Sequence, residues 1–529
     1  MKSLRAHIIL FIALLATATG CSKKFEDYSQ NQNLPLSVPP GVILRSVLND
    51  IVVYPGDYED KAGQFIVSNY TYYGDNKYWS GSAGLNYSTL NNVLSMEREA
   101  KAATGTDNNP YHALGLFVRA FFFTNMSLKV GDLPMTEALQ GTANIAPKYD
   151  SQKEIFKKSL EWLDSSNLIL GNLLSSGFLE FSGDFYYKEA LSGKYSGNNG
   201  RDALVEWQKV VNSYSLRLLI ELSKKADDAD LNVKSRFAAI FGNPAKYPIF
   251  GSNEDNLQYV YNDKYNYYPD NITNYGNNAG RLNLAATLLN NLSKLNDLRA
   301  MVLAEPARGL GYPDTDFRSF VGASTGQDLS SMAAESGAGK LSFYNYNRFY
   351  SGYTGEPTFI LSYPEICFCI AEASNRGWIS ANADTWYQNG VKGMFDFYKI
   401  KNGSNSVIFR KSDGTGNLTY DVTFNFADYF NQPLVKYKGN NPDGLEQILM
   451  QKYLGYARNS GLQAYYQWRR TGVPVFSTGP GVGNGGIIPK RFQYPSNERS
   501  ANSSNYEAAI SSQFGGAGDD INQALWIVK

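Results

Sequence analysis

The chain has 529 residues, with 49 Lys plus Arg against 49 Asp plus Glu. That balance offers no basic field to hold a nucleic-acid backbone, so a nucleic-acid partner is excluded. Two histidines and three cysteines leave little for a histidine-based metal site or a disulfide scaffold, whereas 38 Tyr, 29 Phe and 7 Trp give the chain unusual aromatic weight.

At the N-terminus Lys2 and Arg5 precede an apolar run from Ile8 to Ala16, then Ala18, Thr19, Gly20 and Cys21. A positive segment, an apolar stretch and small residues make a secretory signal. The run is shorter than the roughly 20 residues of a membrane span. Small residues directly before a cysteine look like a bacterial lipobox, in which the Cys21 thiol is acylated and becomes the first mature residue. Residues 1–20 are therefore read as a lipoprotein signal peptide. Residues 21–40 are read as the lipidated Cys21 and a polar tether ending in NQNLPLSVPP, and 41–529 as the body. Loss of Lys2 and Arg5 leaves 47 basic against 49 acidic side chains, a net of −2. No later segment is read as long and apolar enough to cross a membrane.

The body is dominated by helical periodicity. Leu114, Phe117, Val118, Phe121 and Phe122 form one helix face, which stops near Gly131 and Pro134. Ser151 and Glu154 open the next helix with capping-box spacing. Trp207, Val210, Val211, Tyr214 and Leu218 form another face. Ser362 and Glu365 repeat the capping-box spacing before Ile366, Cys369, Ile370 and Ala373, and Gly377 closes that helix. Leu445, Ile448, Leu449, Tyr453 and Tyr456 form a last stripe. The helices come in pairs, separated by irregular stretches rich in Gly, Asn, Ser and Tyr at about 228–280 and 303–356. Loops this long are rarely idle. The expected fold is mostly α, a single domain of helix pairs with large irregular loop-rich insertions.

Several catalytic and metal patterns fail on their context. His112 is the only histidine outside the leader, and it sits at a helix start, where capping or packing suits it better than a Ser-His-Asp site. Gly481 to Gly486 spell G-x-G-x-x-G but open no helix, so they are read as a flexible loop. Asp107–Asn109 and Asn441–Gly444 lack the ligand spacing of a calcium loop and are read as turns. Cys367 and Cys369 lie two apart on a helix and do not face each other, so they are read as buried free thiols. No metal site or cofactor is expected. Glu365 and Glu372 are a candidate carboxylate pair for glycoside hydrolysis. They lie within an apolar stripe, and are read instead as capping and buried hydrogen-bonding groups.

Three aromatic clusters stand in polar loops. Tyr70, Tyr72, Tyr73, Tyr78 and Trp79 accompany Asp75, Asn76 and Lys77. Tyr261, Tyr265, Tyr267 and Tyr268 form a second cluster. Tyr344, Tyr346, Arg348, Phe349, Tyr350 and Tyr353 form the third. A flat aromatic suits the C–H face of a sugar ring, and Asn, Asp and Arg suit its hydroxyl rim. A peptide could use the same groups. Each single aromatic is read first as loop packing, while at least one cluster is expected to touch ligand.

The lipoprotein start is followed by VRAFFFTNMSLKVGDLPMTEAL and PKYDSQKEIF, then WQKVVNSYSLRLLIELS and LNDLRA. PTFILSYPEICFCIAEASNRGW and WYQNGVKGM come next, then LEQILMQKYLGYARNSGLQAYYQWRRTGVP and IPKRFQYPSNERSANSSNYEAAI. In this order the segments resemble the SusD/RagB family, in its SusD-like nutrient-binding branch, over most of the mature chain. QWRRTG together with AEA-xx-RG carries most of the specificity. The chain departs from the pattern at Leu298, where Pro is expected, and at Gln463, where an acidic residue is usual. The resemblance implies tetratricopeptide-like helix pairs and a lipid anchor on the outer face of the outer membrane. It also implies a SusC-like TonB-dependent transporter as partner, and capture of an oligosaccharide, or of a peptide in the RagB type, without catalysis. It points to Trp79 as the stacking aromatic, with Tyr73, Asp75 and Asn76 beside it. Arg348, Tyr346 and Tyr267 are the further expected ligand contacts. Two other readings compete: a surface glycoside hydrolase, and a structural protein whose helix pairs dock only other proteins.

Overall fold

Asn109, in extended backbone, accepts a hydrogen bond from the His112 N–H at 2.9 Å, and Pro110 sets the first helical φ. These two residues start a 21-residue helix whose side chains are almost all buried. The computed structural model describes residues 37–529, except 57, 71–81, 191–193, 195, 196, 198 and 459. Cys21, the leader and most of the tether therefore lie outside the described residues.

The principal helices are α1 (Pro40–Asn49), α2 (Tyr87–Thr104), α3 (Pro110–Val130), α4 (Gln152–Asn172) and α5 (Gly200–Glu221). They continue with α6 (Tyr363–Asn375), α7 (Ala383–Phe397), α8 (Pro442–Gly455) and α9 (Gln463–Thr471). Neighbours in sequence are neighbours in space. α1 packs on α2, α2 on α3, α3 on α4 and α4 on α5, and α6 then joins α5 to α7 and α8. Consecutive helix pairs stacked in this way bury one continuous core, as in helical-repeat proteins. The predicted faces are inward: Phe117, Val118, Trp207, Val210, Val211, Ile366 and Ile370 are fully buried.

Side-chain caps explain most of the starts. Ser151, Asn199, Ser362, Asn382 and Asn441 each accept from a backbone N–H one turn into α4, α5, α6, α7 and α8 respectively. Asn441–Gly444, expected to be a turn, is thus the cap and first turn of α8. Asp107–Asn109 does precede a helix as a turn, and Asn109 caps it. α3 corrects the membrane reading, because by length and composition it could span a bilayer, yet it is a core helix. The Gly481–Gly486 stretch forms two single 3-10 turns. Cys367 and Cys369 are buried free thiols, and burial pushes them up to about 12 and about 11.

The long irregular stretches contain more order than their composition indicates. Val233–Gly242 and Leu329–Gly337 are helices. Short antiparallel pairings tie the loops to the body: β1 (Ile66–Ser68) to β3 (Leu282–Leu284), and β2 (Leu257–Tyr259) to β4 (Thr358–Leu361). Beyond the helical pattern, β5 (Gly403–Arg410) and β6 (Asn417–Phe424) form a hairpin, in register from Gly403 opposite Phe424 to Arg410 opposite Asn417.

Buried ion pairs lock the helices. The Arg217 Nε of α5 donates to Glu365 of α6 at 2.6 Å, and Tyr456 donates to the same carboxylate at 3.1 Å. Glu365 therefore does not complete a capping box. Arg470 of α9 holds Glu372 of α6 with both terminal nitrogens, at 2.5 and 2.9 Å, and Arg376 Nε adds a third contact at 2.9 Å. Arg469 donates to the Lys490 and Leu128 carbonyls at 2.8 and 2.7 Å. The LNDLRA segment is a local buried pair, in which Arg299 donates to Asp297 and to Gln451 of α8, each at 2.7 Å.

Burial raises the Glu372 carboxyl, but the charges of Arg470 and Arg376 outweigh it and hold the group at about 2, against an ordinary 4.5. A folded value below the unfolded one contributes stability that is complete above about 4.5 and lost as pH falls toward about 2. Glu372→Ala is expected to cost about 3–5 kcal/mol at neutral pH, because two guanidinium groups lose their buried partner. In urea titrations the gap between wild type and variant should narrow as pH drops through that window, and a gap independent of pH would contradict this account.

Candidate ligand-binding surface

Two of the three aromatic loops lie against each other. The Tyr268 N–H donates to the Tyr353 carbonyl at 2.7 Å, and Ile272 N–H to the Gly352 carbonyl at 3.2 Å. The Tyr267 and Tyr353 rings pack at a tilt with centroids 4.6 Å apart, and Tyr268 stacks on Phe349 at 6.2 Å. Gly355 is needed here: its φ is +47°, and a Cβ would sit 2.3 Å from the Tyr268 ring.

The junction is fixed from below by Arg458, in the link between α8 and α9. Its buried guanidinium pairs with Asp270 at 2.5 Å and Asp60 at 3.4 Å, and lies 4.1 Å from the Tyr344 ring centroid. Burial raises the Asp60 carboxyl to about 6, although Arg458 pulls against the rise.

The flank of the first cluster packs against the segment that follows the second. Tyr70 faces the Arg281 guanidinium at 4.9 Å, where β1 meets β3. Just upstream of Arg281, the Tyr275 ring packs on Tyr346 at 4.8 Å and on Tyr350 at 5.2 Å. Arg410, at the end of β5, lies 4.4 Å from the Tyr275 ring centroid and 4.2 Å from that of Tyr346. Glu305 accepts the Tyr346 and Arg410 N–H groups at 2.9 and 3.0 Å, and its burial pushes it up to about 7.

The sequence candidates fall into distinct places. Trp79, Tyr73, Asp75 and Asn76 lie outside the described residues. The chain on either side of them is anchored, with Asn69 N–H on the Arg281 carbonyl at 3.0 Å and Ala83 N–H on the Gln493 carbonyl at 2.8 Å. Tyr267 is 47% exposed and Tyr70 39%, so each can offer a ring face. Tyr346 is half-buried under Arg410. Arg348 donates through Nε to buried Glu356 at 2.5 Å and lies 4.6 Å from the Tyr398 ring centroid. Tyr261, Tyr268, Tyr344, Phe349 and Tyr350 are buried packing. Sequence reading missed Tyr275, Arg281, Arg410 and Arg458. The signal available was a lone arginine beside tyrosines or in an Asn- and Gly-rich link, which is weak.

Glu365 and Glu372 both face buried arginines, not a cleft. A carboxyl held at about 2 cannot donate a proton near neutral pH, so Glu372 is unsuited to general acid catalysis. His112 behaves as a helix-start residue, its Nδ1 lying 3.2 Å from Glu97.

A stacked-helix scaffold that presents tyrosine and arginine faces on tethered loops defines an α-helical recognition protein. The family model described as starch-binding, associating with the outer membrane, matches residues 48–495, and the chain belongs to this SusD-like family. A structure described as an outer membrane protein from Bacteroides vulgatus, probably involved in nutrient binding, is 28% identical. The match covers 93% of this chain and 100% of that one, with a TM-score of 0.76. A SusD homologue from Bacteroides fragilis is 27% identical over 93% of this chain and 100% of that one, with a TM-score of 0.77. A chitin-binding SusD homologue from Flavobacterium johnsoniae shares the fold at 16% identity, covering 93% of this chain and 98% of that one, with a TM-score of 0.66. No curated protein matches the sequence.

Exposed and buried tyrosines should respond differently. Tyr267→Ala is expected to leave stability within about 0.5 kcal/mol while weakening ligand binding. Tyr268→Ala should destabilise the fold by about 3–5 kcal/mol, as large-to-small core changes do. Thermal unfolding of the two variants checks this, and equal stability losses would contradict the assignment.

Proposed function

We propose that this protein is a cell-surface lipoprotein, anchored through Cys21. It captures oligosaccharides and passes them, uncleaved, to a SusC-like TonB-dependent transporter in the outer membrane. The observation that carries the reading is the junction of two aromatic loops on a supported base, with Tyr267 47% exposed beside it and Tyr70 39% exposed at the flank of the first cluster. Trp79 supplies the principal stacking face, with Tyr73, Asp75 and Asn76 serving the sugar hydroxyls. Tyr267 completes the contact zone, while Tyr346 and Arg348 contribute by fixing loop geometry from beneath Arg410 and against Glu356. Such a site binds by stacking and rim hydrogen bonds, which requires no group to gain or lose a proton.

The starch-binding description of the family and the chitin-binding name of the Flavobacterium homologue support a glycan over a peptide. Calorimetric titration with maltoheptaose and chitohexaose tests the reading. Trp79→Ala is expected to weaken the responding ligand by about tenfold, near 1.4 kcal/mol, with the thermal midpoint unchanged. Unaltered affinity in that variant, or binding of peptides alone, would overturn it.

A further inference from the structure

A cleft of about 1540 Å³ opens between α1, the segment around Phe185 and the β2 strand with its following loop. Single small-molecule pockets run to roughly 300–1,000 Å³, so this one suits an oligomer better than a monomer. One wall is aromatic. Tyr259 sits at the centre, with Tyr54 at 5.7 Å, Tyr261 at 5.4 Å and Phe185 at 6.0 Å, all edge to face. Tyr265 stands on the rim, 70% exposed, and Tyr54 is 44% exposed. Neither ring is needed to fill the core.

The hydrogen-bonding groups between the rings are uncharged. The Tyr54 hydroxyl donates to Tyr259 at 3.5 Å, and Tyr259 donates to Asn49 at 3.3 Å. Gln258, Asn262 and Asn266 complete an amide edge. Asn262 also shapes the loop, its side-chain oxygen accepting the N–H groups of Lys264 and Tyr265 at 3.0 and 3.1 Å. Among the described lining residues the charges cancel: Arg45, Lys194 and Lys399 against Glu189, Glu254 and Asp396. Arg45 is paired with Glu189, and Lys194 lies 3.6 Å from Glu254. An acidic glycan would meet Glu189, Glu254 and Asp396 as like charges and compete with carboxylates for Arg45 and Lys194, whereas a neutral sugar needs only ring faces and amides.

We propose that this cleft is a second binding site, separate from the loop surface carrying Tyr70 and Tyr267, and that it takes a neutral oligosaccharide. Two sites on one rigid scaffold would hold a long chain at two points and raise its effective concentration at each.

Hydrogen exchange of the full mature chain tests this, with maltoheptaose and chitohexaose as neutral probes and hexagalacturonate as the acidic one. A neutral probe is expected to protect residues 40–54 and 253–266. The double variant Tyr54→Ala, Tyr265→Ala should lose that protection while keeping any at 344–353. Protection confined to 267–281 and 344–353 would overturn the second site and leave the capture reading intact. Absence of protection at 253–266 with both neutral probes, or protection there by hexagalacturonate, would also overturn it.

Discussion

The contact between Glu372 and Arg470 holds the architecture together. It joins α6 to α9, and Arg376, at the C-terminal cap of α6, closes it. The two most specific sequence segments, AEA-xx-RG and QWRRTG, are thus the two halves of one buried ion pair. A pair of this kind is costly to desolvate and adds little net energy over an apolar contact. Its consequence is geometric, since neither half tolerates the absence of the other. Arg217 with Glu365 repeats the device between α5 and α6, and Arg299 with Asp297 repeats it below α8. The helix stack is pinned at these points, and the hydrophobic faces fill the space between them.

The same logic reaches the loops. Arg458, just past the end of α8, binds Asp60 of the short helix Tyr58–Ala62 and Asp270 of the loop after β2, while Tyr344 lies against its guanidinium. Arg458 thus ties the helix scaffold to the loop that carries Tyr267. A loop whose inner tyrosines are buried can hold its outer ones at fixed positions. Tyr267 beside Tyr268 shows this division, one ring exposed and tilted against Tyr353, its neighbour buried against Phe349. Preorganised ring faces lose little freedom on binding, which favours recognition of flexible chains such as oligosaccharides.

Helix faces were legible because period 3.6 survives in Leu114–Phe122 and Trp207–Leu218, and because Ser and Asn caps have a local chemical signature. The partner of each buried charge was not legible. Glu365 has capping-box spacing, but Arg217, 148 residues away, claims its carboxylate. The β5–β6 hairpin leaves only the Asp413-Gly414 turn as a sequence signal, since Val407, Ile408 and Phe409 are apolar in succession although burial alternates along Gly403–Arg410. Apolar and polar residues alternate too loosely there to stand out against the surrounding loop. Asn441–Gly444 misled because a helix cap and a β-turn use the same residues. At the site, the sequence marked tyrosine clusters but could not sort inward from outward rings, since no periodicity governs an irregular loop. The cleft around Tyr259 was invisible for a further reason: Tyr54, Phe185 and Tyr259 are far apart in the chain.

The proposed function requires an aromatic surface that binds a glycan chain and leaves it whole. A crystal structure of residues 22–529 soaked with chitohexaose, with mass analysis of the sugar recovered from the drop, tests this most directly. The account predicts an intact oligosaccharide across the Tyr70 and Tyr267 faces. Shortened products, or sugar bound with those faces empty, would contradict it.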